Sequence, residues 1–285
     1  MMLVTIRLSA PGWESSESAT GQFMKCGKVL HDTTTPLSEA KDSQTFCRQL
    51  KELNGFYAVV RQTPGLLMAA VDHIRSIPLF YGQKEDRLFL ADDAEWVRQQ
   101  VGDHKMDPLA RDEFQLAGYV TGQDTLFPNV KQLQAGECLV VRENADNLQV
   151  TTQRYYRFLH TEPTEYDEKS LRDELDQKAL DSVQRLVDYA GGRQIVVPLS
   201  GGYDSRLIVT LLRRLGYENV LTFTYGVKGN KESQYSKRVA DALGLKWQFV
   251  EYTSDLWRAA WQTDERWQYQ EWASGWSVLV MCRTG

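Results

Sequence analysis

Ser200-Gly201-Gly202-Tyr203-Asp204-Ser205 places two adjacent glycines, two small hydroxyls and a carboxylate directly after the apolar run Ile195-Val196-Val197-Pro198-Leu199. The run reads as a buried strand, and Leu207, Ile208, Leu211, Leu212 and Leu215 recur at helical spacing just beyond it. Glycines at such a strand-to-helix junction leave backbone N–H groups open at the positive end of a helix, a geometry that holds phosphate. The chemistry expected there is that of ATP. A plainer alternative is a tight turn whose glycines only permit positive φ. The strand before and the helix after favour the phosphate reading.

The elements that must position this loop follow in sequence. Val220-Leu221-Thr222-Phe223-Thr224-Tyr225 reads as a second strand, and Trp247 to Tyr252 as a third. Between them, Tyr235, Val239, Ala242 and Leu243 mark a helix over Glu232 to Leu243, closed by Gly244. Strand, helix, strand, helix, strand at this spacing predicts a parallel sheet with right-handed crossovers, which binds ligands at the carboxyl ends of its strands. No Gly-Lys-Ser/Thr follows the glycines and no Gly-x-Gly-x-x-Gly occurs there, so the loop is neither a Walker-type phosphate loop nor a dinucleotide fingerprint.

Leu-Ser-Gly-Gly-Tyr-Asp-Ser resembles the pyrophosphate-binding loop (PP-loop) of the ATP pyrophosphatases, in detail that of the asparagine synthetase and β-lactam synthetase family. Position by position, the resemblance implies adenine-nucleotide contacts at the backbone of Leu199 and Tyr225. It implies a pyrophosphate cradle at Ser200, Gly201, Gly202 and Ser205, and a Mg2+ ligand at Asp204. Arg206 reads equally as a phosphate contact or as an ordinary residue of the first helical turn.

The N-terminal half carries further matches in the family's order. They are Leu53-Asn54-Gly55-Phe56-Tyr57-Ala58-Val59-Val60, the segment Val71-Asp72-His73-Ile74-Arg75-Ser76-Ile77-Pro78-Leu79-Phe80-Tyr81, Leu88 to Asp93, and Thr125-Leu126-Phe127 with Lys131 to Gly136. With the loop they span most of residues 50 to 255. The resemblance implies a class II glutamine amidotransferase domain, an N-terminal-nucleophile (Ntn) hydrolase fold, in which a first-residue cysteine attacks glutamine and its free α-amine serves as base. The chain opens Met1-Met2-Leu3-Val4 and has no cysteine before Cys26, which reads as a small buried residue. No catalytic nucleophile is therefore expected, and Asn54 and Asp72, which match glutamine-binding positions, are expected as relics.

The family's synthetase domain also continues into a Gly-Glu-Gly-x-Asp-Glu-type loop with a second magnesium carboxylate, and nothing in residues 255 to 285 matches it. The resemblance thus implies a product that is truncated, interrupted or completed from elsewhere, with ATP binding a firmer expectation than turnover.

The expected fold is two-domain, α/β and α+β. Residues 1–160 form an Ntn-hydrolase-like sheet sandwich, and residues 166–285 an incomplete parallel-sheet, adenine-nucleotide α-hydrolase-like PP-loop domain. Short alternating segments such as Phe56, Ala58, Val60 and Cys138, Val140, Arg142 support sheets packed face to face. The boundary is expected between about 157 and 168, where His160-Thr161-Glu162-Pro163-Thr164-Glu165 is polar and contains a proline. Thr164 with Asp167 reads as the cap of a helix carrying Leu171, Leu175, Ala179, Val183 and Leu186 up to Gly191-Gly192. In the tail, Trp257/Trp261 and Trp272/Trp276 are four apart, and Trp267 lies between the pairs. They read as core, or else as an association face for a homodimer or partner.

Hydrophobic residues at 42% and charged residues at 25% are those of an ordinary globular protein. No apolar stretch reaches a membrane span and no signal peptide is apparent. Cys26, Cys47, Cys138 and Cys282 are far apart without a Cys-x-x-Cys pair, which predicts a reducing, cytoplasmic setting and no structural zinc. His31, His73, His104 and His160 lack metal-ligand spacing and read as surface or hydrogen-bonded residues. A net charge of −5 disfavours nucleic acid, and with it the tRNA-modifying branch of the ATP pyrophosphatases. The resemblance implies a ligase that adenylates a small carboxylate, aspartate among the candidates, and passes it to ammonia or an amine. A non-catalytic ATP-binding fragment or partner subunit is the alternative, and a tRNA-modifying ATP pyrophosphatase a weaker third reading.

Overall fold

The computed structural model of the protein describes residues 3–31, 37–144, 147–266 and 268–269. The chain divides into two compact units, residues 1–159 with 268–285, and residues 160–267.

Among its described residues the first unit holds ten strands: β1 (Val4–Arg7), β2 (Trp13–Ser18), β3 (Gly21–His31), β4 (Asn54–Thr63), β5 (Leu66–Val71), β6 (Phe80–Lys84), β7 (Arg87–Ala91), β8 (Lys131–Gln132), β9 (Glu137–Glu143) and β10 (Leu148–Arg154). Three helices accompany them, α1 (Ser43–Glu52), α2 (Ala94–Val101) and α3 (Pro108–Ala117), whose N-caps are Asp42, Asp93 and Asp107. The strands form a six-stranded sheet, β10-β9-β5-β4-β3-β2, and a four-stranded sheet, β1-β7-β6-β8. Pro64-Gly65 closes the β4–β5 hairpin, with Gly65 at φ 72 supplying the positive φ that the turn requires.

Strand alternation sorts the side chains into layers. Ala58 and Val60 of β4, Ala69 of β5 and Leu139 of β9 meet Leu79, Tyr81, Leu88 and Leu90 between the two sheets. The intervening Tyr57, Val59, Met68, Ala70, Cys138 and Val140 face Phe46, Cys47 and Leu50 of α1. On the outer side of the smaller sheet, Phe80 and Phe89 pack on Val97, Val101 and Ala110 of α2 and α3. The unit is thus helix, sheet, sheet, helix. Cys47 and Cys138, remote in sequence, bring their sulfurs to 2.7 Å, a contact that the scattered cysteines gave no sign of. His73 also departs from expectation: its ring stacks on Tyr156 at 3.9 Å, and its Nε2 is buried without a hydrogen-bond partner.

Burial makes this unit sensitive to alkali. The hydroxyls of Tyr57 and Tyr81 are pushed up to about 12, foremost by desolvation, with Asp72 adding to the shift at Tyr57 and Glu137 at Tyr81. Unfolding returns both to about 10, so between pH 10 and 12 the folded chain binds more protons. The stabilisation is fully present below pH 10 and is lost as the pH climbs to 12, about 2–3 kcal/mol for each ring. Urea denaturation at pH 9 and pH 11.5 is expected to show that loss, with a smaller drop in Tyr57→Phe. Equal stability at both pH values would contradict it.

The second unit contains α4 (Glu168–Ala190), β11 (Ile195–Pro198), α5 (Tyr203–Arg214), β12 (Val220–Gly226), α6 (Lys231–Leu243), β13 (Lys246–Glu251) and α7 (Ser254–Trp261). The three strands form a parallel sheet in the order β11-β12-β13, with Val197 opposite Thr222 and Thr224 opposite Phe249. Ile195, Val197, Leu199 and Val220 join Val183 of α4, Leu211 and Leu212 of α5 and Ala240 of α6 in one core. Pro198 ends β11, an edge strand, where a missing ladder donor is tolerated.

Two expectations are corrected here. Asp167 alone caps α4, accepting from Ser170 N at 2.8 Å, so the cap needs no part of Thr164. Trp257 and Trp261 share a face, 6.2 Å apart, but lie 55% and 45% exposed on a helix that buries no residue. They are therefore not core within this unit. Trp267, Trp272, Trp276 and Cys282 lie outside the described residues. No described helix is long and apolar enough to cross a membrane.

Candidate functional site

The loop Ser200–Ser205 lies where the chain leaves β11 and enters α5, at the carboxyl end of the parallel sheet. Its base is rigid. Leu199 is buried, its amide donates to the Phe223 carbonyl at 2.8 Å, and its carbonyl accepts the Thr224 hydroxyl. Thr224 in turn bonds Ser236 of α6, and the Trp247 indole N–H donates to Ser236 Oγ at 3.0 Å. This relay through β12, α6 and β13 is buried, and a satisfied polar network of this kind fixes the start of the loop. It also engages both backbone groups of Leu199.

Beyond Leu199 the loop organises itself. Ser200 N donates to Ser205 Oγ and Gly202 N to Ser200 Oγ, both at 3.1 Å. Neither Gly201 nor Gly202 adopts a positive φ; Gly202 has φ −71 and ψ 161. The account in which the glycines merely relieve a turn therefore fails. A side chain at either position would press only on side-chain atoms, which can give way. A Cβ on Gly201 would stand 2.9 Å from Glu232 Oε2, and one on Gly202 would stand 3.1 Å from Ser200 Oγ.

Gly202 is the N-cap of α5, and no side chain caps it, so the amides of the first turn face outward unclaimed by a capping group. Asp204 stands exposed in that same turn. The Gly201 amide is already in use: it donates to Glu232 Oε2 at 2.6 Å, a short charge-assisted bond. A carboxylate oxygen thus holds this amide. Sequence reasoning missed Glu232; the available signal was an acidic residue in the first turn of the next helix, behind the Asn230 cap. Arg206 turns back on its own helix, donating to the Gly202 carbonyl and lying over the Tyr203 ring at 4.5 Å. Tyr225, next to last in β12, is half-exposed and stacked on Tyr252 at 5.2 Å.

Because the Glu232 carboxylate holds the Gly201 amide, removing its charge in Glu232→Ala is expected to tighten pyrophosphate binding. One exposed charge at about 4 Å is worth about 1 kcal/mol in water, or about fivefold in affinity. Titration calorimetry with pyrophosphate measures it, and weaker binding by the variant would refute that expectation.

In the first unit the sequence-selected residues serve the fold. Asn54 sits exposed at the start of β4, paired through its backbone with His31. Asp72 is buried, and its carboxylate accepts from the amides of Tyr57, Ile74 and Ser76 at 2.9–3.0 Å. Cys26 lies in the middle of β3, between Trp13 of β2 and Ala58 of β4. Burial, and after it the Asp92 charge, pushes its thiol up. An interior strand residue has no free α-amine, so Cys26 is not an N-terminal nucleophile.

A glutamine amidotransferase domain family matches residues 43–156, and an asparagine synthase family matches residues 174–273. No curated protein matches the chain. Among solved structures, an NH3-dependent NAD synthetase from Campylobacter jejuni is 26% identical over 32% of this chain and 41% of its own, with a TM-score of 0.28. The glutamine phosphoribosylpyrophosphate amidotransferase of Bacillus subtilis is 13% identical over 85% of this chain and 73% of its own, with a TM-score of 0.31. A glutamine-dependent NAD+ synthetase from Acinetobacter baumannii is 14% identical over 76% and 55%, with a TM-score of 0.27. The chain thus spans about two fifths of the first of these proteins and just over half of the third. An amidotransferase segment is thus followed by an asparagine synthase segment, the order that the motifs of both halves predict from their resemblance to the asparagine synthetase family.

Proposed function

We propose that this chain carries the nucleotide site of an ATP-dependent ligase that activates a small carboxylate and joins it to ammonia or an amine. The observation that carries this reading is the seat at Gly201. A main-chain amide beside an uncapped helix start already holds an anionic oxygen, in the loop whose sequence resembles a pyrophosphate cradle. In this reading the substrate carboxylate attacks the α-phosphorus of ATP, and pyrophosphate departs into the amides of Ser200 to Ser205. Ammonia or an amine then attacks the acyl carbon, and AMP leaves with the bonding pair.

Each residue of the loop has a part in that step. The Gly201 amide and the first turn of α5 stabilise charge as it develops on the leaving group. The Ser200 and Ser205 hydroxyls, 3.1 Å apart, keep the loop open at its width. The backbone of Tyr225, next to last in β12, would contact the adenine. An exposed carboxylate beside a phosphate seat suits Mg2+, which binds through one or two carboxylates together with substrate phosphates. Asp204 would hold it, and it would neutralise charge on the pyrophosphate.

We assign residues 1–160 to the amidotransferase-like part and residues 166–285 to the synthetase part. Ammonia or an amine is the expected nitrogen source, since Cys26 is not placed as a glutaminase nucleophile. Aspartate is the first carboxylate to test. A second reading, nucleotide binding without turnover, is favoured by the single acidic residue in the first turn of α5.

Isotope exchange between pyrophosphate and ATP, run with aspartate against a panel of other small carboxylates, tests the proposal. Carboxylate-dependent exchange supports the ligase. Binding of ATP without exchange supports the second reading, and no ATP binding overturns both.

A further inference from the structure

The core between α1 and the larger sheet contains a feature that plays no part in ligase chemistry. Cys47 of α1 and Cys138 of β9 are 91 residues apart, yet their sulfurs lie 2.7 Å from one another. Both are buried, Cys47 at 6% exposure and Cys138 at none, among Phe46, Leu50, Met68 and Tyr155. Sulfur atoms at this separation are well inside ordinary van der Waals contact, so closing to the roughly 2.05 Å of a covalent S–S bond needs only a small movement. Among the described residues no group of three metal-capable side chains forms, which leaves this pair without the further ligands that zinc requires.

We propose that Cys47 and Cys138 are a covalent modification site, a thiol pair that a small disulfide of the glutathione class converts into an intramolecular disulfide. The order of events follows from the surroundings. Cys47 is the less deeply buried residue of the two, and the hydrogen bond between the sulfurs favours the Cys47 thiolate, while that same bond and then burial hold the Cys138 thiol up. The Cys47 thiolate attacks one sulfur of the small disulfide, whose S–S bond breaks and releases one small thiol. The Cys138 sulfur, as thiolate, then attacks Cys47 in the mixed disulfide and releases the second. The two cysteine protons end on the two released thiols, and the small disulfide takes up the two electrons.

Such a bond would tie the α1 layer to the centre of the sheet across a long loop, which restricts the unfolded chain strongly. For a loop on the order of 90 residues, the expected rise in thermal midpoint of the first unit is about 10 °C.

The test uses the full chain, reduced and then equilibrated with oxidised glutathione, trapped by alkylation under denaturing conditions and mapped by peptide mass spectrometry. The expected result is a Cys47–Cys138 cross-linked peptide pair two hydrogens lighter than its parts, with a raised thermal midpoint that dithiothreitol reverses. Cys26 and Cys282 should remain alkylated. Recovery of Cys47 and Cys138 as alkylated thiols overturns the proposal, as does a stable glutathione adduct without cross-link or pairing with Cys26 or Cys282. Because the linkage is read in the unaltered chain, the result does not depend on whether a variant folds. The double variant Cys47→Ala/Cys138→Ala then serves as control and should show no glutathione-dependent rise.

Discussion

Asp204→Ala is expected to lower ATP–pyrophosphate exchange by about 10²- to 10³-fold, the typical effect of deleting one preorganised electrostatic contact. The size of the effect follows from where the residue sits. Its carboxylate is exposed in the first turn of α5, beside amides that no side chain caps. A charged group there contributes little to folding. Its interaction with the helix dipole is worth about 0.3–1 kcal/mol at an exposed terminus, so the denaturation midpoint should barely move. Function should therefore fall far more than stability. Asp204→Asn separates charge from shape: it keeps the size of the side chain and removes the anion, and should lose as much exchange as the alanine variant. A second readout does not depend on turnover. Pyrophosphate binding by the wild type should tighten when Mg2+ is added, whereas Asp204→Ala should bind equally with and without it. Exchange near wild type in the alanine variant would remove Asp204 from the site.

The parts of this fold that were legible in the sequence are those written locally. The β11–α5 junction announces itself by an apolar run, two glycines and helical leucine spacing, and the structure places every one of those elements within a residue or two. Gly191 and Gly244 close their helices in the left-handed conformation, as glycines after periodic segments should. What stayed hidden depends on tertiary proximity. Glu232 reaches Gly201 across 31 residues, and its type alone does not say which amide it meets. Cys47 meets Cys138 only because α1 lies on the face of β9 that the even-numbered residue occupies. The spacing of Trp257 and Trp261 gave their shared face but not their exposure, since periodicity carries no information about what covers a face. At Asn54 and Asp72 the motif match points to glutamine contacts kept as relics; Asp72 is held by three backbone amides, and Asn54 stands exposed at the strand start.

Asp72→Ala is expected to cost the first unit about 2–4 kcal/mol, because it strands the buried Tyr57 amide at about 1–3 kcal/mol and weakens two part-buried amides that water can partly satisfy. The carboxylate gathers groups from separate parts of the unit. Oδ2 accepts from Tyr57 N of β4 and Ser76 N at 3.0 Å, and Oδ1 accepts from Ile74 N at 2.9 Å. Its backbone adds to the junction: the Asp72 carbonyl accepts from Gly136 N just before β9, and from Arg75 N. Arg75 itself has φ 60, a left-handed conformation unfavourable to an arginine, so the turn it sits in needs outside support. Against a total stability of about 5–15 kcal/mol for a typical domain, the loss removes a large share of the margin and shifts the unfolding midpoint clearly. Asp72→Asn should be milder, since one carbonyl oxygen can still accept two of the three amides while its NH2 group opposes the third. Urea titration followed by near-ultraviolet circular dichroism should rank wild type above asparagine above alanine. If instead the alanine variant unfolds at the wild-type midpoint, the carboxylate is free of duty in the turn. Its burial would then have to be explained by a bound amine, which would restore the glutamine-contact role that its sequence position implies.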